Sequence, residues 1–86
     1  MSDLVPSNNG FGVVTGTVSP VAFPDVNISS LIIKNSPLGV IGFLGSSGVV
    51  NFPMAAGDDT GWLRADNLSD FYYSGTGAYF HYWYQD

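Results

Sequence analysis

No stretch of this chain keeps an apolar period of 3.6 residues, so nothing in it asks for a long amphipathic helix. Its apolar residues come in short runs, and each run stops at Gly, Pro, Asn or Asp. Residues 11–18 alternate, with Val14, Gly16 and Val18 on one face and Val13, Thr15 and Thr17 on the other, until Ser19-Pro20 interrupts. Residues 21–23 make a short strand closed by Pro24-Asp25. Residues 27–34 alternate Ile28, Ser30 and Ile32 against Ser29, Leu31 and Ile33, and Asn35-Ser36-Pro37 turns the chain. Residues 39–44 and 49–52 flank Gly45-Ser46-Ser47-Gly48, a hairpin-type turn. After a loop at 53–59, residues 60–65 read as a strand. Asp66 and Asn67 have the chemistry to cap one helical turn at Leu68. Residues 71–73 and 78–84 are the last two strands, separated by Ser74-Gly75-Thr76-Gly77. About eight short antiparallel strands at close spacing predict an all-β fold, a small β-sandwich or jelly roll. Residues 1–10, with the turn chemistry of Pro6-Ser7-Asn8-Asn9-Gly10, read as an extended N-terminal arm, and 11–86 as the domain.

A chain of 86 residues holds one domain. At that size only about 60% of the unfolded surface is buried, so stability is marginal without help. Disulfides cannot supply the help, because there is no cysteine, and one histidine without thiols cannot build a Cys/His metal site. No cofactor is expected. Burial against partner molecules is the remaining route. Composition points the same way: charged residues are 10% of the chain, against about 25% in an ordinary domain. A surface made of Ser, Thr, Asn, Gly and tyrosine hydroxyls strips few charges of water when it is covered. The formal net charge of −5, with Lys34 and Arg64 as the basic side chains, argues against nucleic acid and against an anionic membrane surface. The most apolar run, 38–50, is too short to span a bilayer and is broken by Gly39, Gly42, Gly45 and Gly48. No basic segment followed by an apolar core marks a signal peptide, so synthesis in a cytoplasm is expected.

Candidate chemistry is sparse, and no enzyme is expected. His81 lies in Tyr79-Phe80-His81-Tyr82-Trp83 without a partner set by spacing, and reads as a packed or interface histidine. Asp58 and Asp59 share a Gly-flanked loop, but their spacing matches no calcium loop, and they read as turn residues. The glycine pair around Ser46-Ser47 lacks the Lys-Ser/Thr and helix of a phosphate loop. Gly12 and Gly16 spell a GxxxG with no membrane helix to use it. Asn27-Ile28-Ser29 and Asn67-Leu68-Ser69 are sequons that matter only in a secreted chain.

Aromatic residues stand out instead. Tyr72, Tyr73, Tyr79, Phe80, Tyr82, Trp83 and Tyr84 crowd the C-terminal end, with Trp62 and Phe71 nearby. On the last strand Phe80, Tyr82 and Tyr84 face one way and Tyr79, His81 and Trp83 the other. One set can fill a core. The other is explained by a protein interface, by a second core layer, or by a sugar-binding surface that combines rings with Asp and Asn. The candidate interface residues are Leu4, Val5 and Pro6 of the arm, with Trp62, Tyr72, Tyr79, His81 and Trp83.

The order of these pieces carries a resemblance. Ile32-Ile33-Lys34-Asn35-Ser36 leads to Val40-Ile41-Gly42-Phe43-Leu44-Gly45, then to Pro53-Met54-Ala55-Ala56-Gly57-Asp58. Trp62-Leu63 runs into Ala65-Asp66-Asn67-Leu68-Ser69-Asp70-Phe71-Tyr72, and an aromatic strand follows. Over residues 30–84 the chain resembles capsid decoration (cement) proteins of tailed bacteriophages, which have a jelly-roll or β-sandwich fold. Related pieces occur at the tips of phage tail and head fibres. The resemblance implies a virion protein that binds the major capsid protein on the outer surface of the shell, as a homotrimer at three-fold positions. The alternative it implies is a receptor- or glycan-binding fibre tip. The family brings no catalytic residues.

Overall fold

The computed structural model describes residues 9–37, 40–46 and 48–85. Eight strands form: β1 (Gly10–Thr15), β2 (Val21–Ala22), β3 (Ser30–Asn35), β4 (Gly42–Ser46), β5 (Val49–Met54), β6 (Leu63–Arg64), β7 (Phe71–Ser74) and β8 (Tyr79–Gln85). They make two antiparallel four-stranded sheets, ordered β1-β8-β3-β6 and β2-β7-β4-β5. The pairing is concentric: β1 with β8, β2 with β7, β3 with β6 and β4 with β5. That is one long eight-stranded hairpin rolled so that alternate arms fall in opposite sheets, which is the jelly roll. The all-β sandwich expected from the sequence is therefore present, with jelly-roll strand order.

Strand limits moved by a few residues, for local reasons. β1 starts at Gly10, the last residue assigned to the arm. The stretch 60–65 keeps only Leu63–Arg64 as ladder, because Gly61 takes φ +67 and bends the chain. Thr60 still holds the β3 edge: its N–H donates to Ile33 O at 2.9 Å, and its Oγ1 accepts the Ile33 N–H at 3.1 Å. The expected helical turn is a single 3-10 turn, Leu68–Asp70, capped by the Asn67 side chain.

The inner faces of the two sheets make the core. Leu31, Ile33, Leu44, Met54 and Phe80 come from strands, while Phe23 and Leu68 plug in from the connections. Phe23 is the central ring, 4.8 Å from Tyr73, 5.5 Å from Tyr82 and 6.5 Å from Phe80, tilted or edge-on to each as ring quadrupoles favour. Each fully buried side chain of this kind contributes about 1.5–3 kcal/mol. Glycines make room for the rings. Gly12 lies opposite Tyr82 and Gly10 opposite Tyr84 in the β1–β8 register, and the two tyrosines stack at 6.2 Å. A Cβ on either glycine would come within 2.5 Å of the facing tyrosine oxygen.

Two asparagines tie the layers. Asn35, fully buried at the end of β3, donates from Nδ2 to Val40 O at 2.8 Å and to Met54 O at 2.9 Å, joining the first sheet to the second. Asn67 accepts at Oδ1 from Ser69 N, Ser69 Oγ and Val26 N, and donates from Nδ2 to Asp25 and Asn27. It closes the connection before β3 onto the one before β7.

Candidate assembly surface

The outward face of the first sheet carries several large apolar side chains. On β8, Phe80 and Tyr82 are buried, while Trp83 and Tyr79 stay 41% and 42% exposed. β8 is a central strand of its sheet, so the outward residues of both neighbours flank these rings. The register sets Phe11, Trp83 and Ile32 in one cross-strand row. Trp62 lies one residue before β6, next to Leu63, which is opposite Leu31. Phe11 is 80% exposed and Trp62 59%. A second row runs Val13, His81 and Lys34, and the His81 ring stacks on Trp83 at 6.4 Å and 24°. Gln85, Ser30 and Arg64 form the polar margin.

This face gathers four candidates named from the sequence, Trp62, Tyr79, His81 and Trp83. It does not include Tyr72, which stands between Ala22 and Gly45 on the outward face of the other sheet and is half-buried. Leu4, Val5 and Pro6 lie outside the described residues. Sequence reasoning missed Phe11, Val13 and Ile32. Alternation in residues 11–18 put Val13 on one face of its strand but gave no sign of which face is outward. The sign was in the glycines: Gly10 and Gly12 share the inward face because tyrosine rings fill it.

Compared with protein-family models, curated proteins and solved structures, the chain matches none of them. What the site can do follows from its own geometry.

Asp58 and Asp59, outside this face, are engaged in a turn. Asp58 Oδ2 accepts the Ala55 N–H at 3.0 Å, and Asp59 Oδ1 accepts the Gly61 N–H at 2.9 Å. These Asx-type bonds close the 55–61 loop. Among the described residues no group of three or more His, Cys, Asp or Glu side chains could hold a metal ion. No helix among them is long and apolar enough to cross a membrane. A cleft of about 560 Å³ is lined by Leu44, Phe52, Leu63 and Phe71 together with Asn51 and Asp59.

Proposed function

We propose that this chain is a structural virion protein, a decoration protein that binds the outer surface of a tailed-bacteriophage capsid. In this reading it contacts the major capsid protein, sits as a homotrimer at three-fold positions, and stabilises the shell. The observation that carries the reading is the outward row Phe11-Trp83-Ile32, three large apolar side chains in register on one sheet, with the exposed Trp62 one residue before β6. Contiguous exposed apolar surface marks a place where another protein sits, and Trp and Tyr dominate the energy of such contacts. A jelly roll alone carries no function. The capsid setting comes from the resemblance of the residue order over 30–84. The proposal includes no catalysis and no cofactor. Support for that omission is the use of Asp58 and Asp59 within their own loop and the stacking of His81 on Trp83.

Quantitative mass spectrometry of purified particles tests the proposal. A closed shell has many three-fold positions, so the expected copy number is on the order of hundreds per particle. Density at three-fold positions should disappear with the W62S/W83S double variant. A handful of copies at one vertex would refute decoration. A second reading, a receptor- or glycan-binding fibre tip, draws support from the cleft, where Phe52 and Phe71 stand with Asn51 and Asp59, residue types that sugar sites combine. It predicts few copies per particle and loss of host adsorption in D59A.

A further inference from the structure

We propose that β1 pairs antiparallel with β1 of a second copy across a two-fold axis, joining two four-stranded sheets into one of eight strands. The inference rests on the sheet edges and stands apart from the capsid reading.

The two sheets have four edge strands, β1, β6, β2 and β5. An open edge is a template for another strand, and proteins blunt edges by keeping them short or by adding Pro, charge or a bulge. β2 and β6 are two residues each. β5 carries Pro53, and its pairing with β4 slips between Leu44 and Gly45. β1 has none of these devices. It is six residues long, reads Gly-Phe-Gly-Val-Val-Thr without charge or proline, and pairs in even register with β8 alone among the described residues.

The direction of its free backbone groups follows from the ladder. The Gly16 N–H donates to Ala78 O at 2.7 Å, across the continuation of the β1–β8 register. Backbone groups alternate along a strand. Gly10, Gly12 and Val14 therefore point theirs at β8, and Phe11, Val13 and Thr15 point theirs away. An antiparallel copy centred on Val13 sets Val13 against Val13 and Phe11 against Thr15 of the second copy. All three residues are then in hydrogen-bonded positions. On the inner face the same register sets Gly12 against Val14 of the second copy, so no two bulky side chains meet. On the outer face it places a ring beside a small β-branched side chain, a favourable cross-strand pair. It covers Phe11 and Val13, which are 80% and 54% exposed. With no charge on the strand, antiparallel self-pairing meets no like-charge repulsion at the seam. A strand that pairs with its own copy this way makes a closed two-fold contact, distinct from any three-fold contact.

Residue-resolved amide exchange across a concentration series, read beside sedimentation, tests the contact. In the monomer, the Phe11, Val13 and Thr15 amides should exchange fast and those of Gly12 and Val14 slowly. As two-fold species form, exchange at Phe11, Val13 and Thr15 should slow by about tenfold or more. V13K should fold like the wild type and lose both the association and the new protection. V13P makes the same test through the backbone, since the N–H it removes points away from β8; if V13P fails to fold, V13K decides. Protection that is absent, or present at every concentration, overturns the proposal. So does wild-type association in V13K. A trimer whose β1 amides stay open would overturn this contact while leaving the decoration reading intact.

Discussion

Single side chains at the β1–β8 seam decide how the sandwich closes. Gly12 is side-chain-free because the Tyr82 ring lies over it. G12V should force that ring out of its stack with Tyr84 and cost about 1–3 kcal/mol, as overpacking usually does, measured as a lower urea midpoint. Burial pushes the Tyr82 hydroxyl above its ordinary pKa of 10.0, and Tyr84 and then Tyr73 add to the shift. The unfolded chain gives up that proton first. Stability from this group is therefore complete below the ordinary value of 10.0 and is lost as pH rises from there through the higher folded value. Urea melts taken across alkaline pH should show a shallower loss in Y82F than in the wild type; equal losses would place the alkaline sensitivity elsewhere. At Asn35, replacement by Ala should leave the Val40 and Met54 carbonyls without their Nδ2 donor, at about 1–3 kcal/mol for each one kept from water.

Strands show which parts of the fold were legible in the sequence. Their existence was, because Pro20, Pro24, the Ser36-Pro37 turn and the glycine turns punctuate period-two runs. The face assignment of β8 was also legible, since Phe80, Tyr82 and Tyr84 alternate with Tyr79, His81 and Trp83. The orientation of β1 was not. Alternation separates Val13 from Val14 without marking either face as inward, and the structure turns Gly10 and Gly12 inward, because large rings on β8 claim that volume. The concentric pairing was also hidden: β1 meets β8 across most of the chain, and no local signal encodes a contact of that span. Tyr72 shared the composition of the interface candidates, yet its strand belongs to the other sheet. The two faces of β8 should separate in experiment. F80A, at a fully buried position, should cost about 3–5 kcal/mol of folding stability. W83A should cost distinctly less, because its ring is 41% exposed, and should instead weaken association. The pair is read by denaturant melts and by sedimentation; a W83A melt as damaged as that of F80A would mean the outer face is part of the fold's own stability.

At the scale of the whole molecule, low charge and an apolar outer face make a common prediction. Contacts between exposed charges weaken within a Debye length of about 3 Å at 1 M salt, while apolar burial does not. Association of this chain with itself, and with its shell in the proposed setting, should therefore persist at about 1 M NaCl; release by salt would point to the few charged residues instead. The rolled hairpin has a mechanical consequence as well. Gly10 faces Tyr84, so β1 begins beside the place where β8 ends. A pull applied between those two points would peel the β1–β8 ladder open one rung at a time, the weak direction of any zipper. A pull spread across the broad outer face of the sheet would instead load many rungs together. A molecule wired like this tolerates strain when gripped by its flank and yields when tugged by its ends.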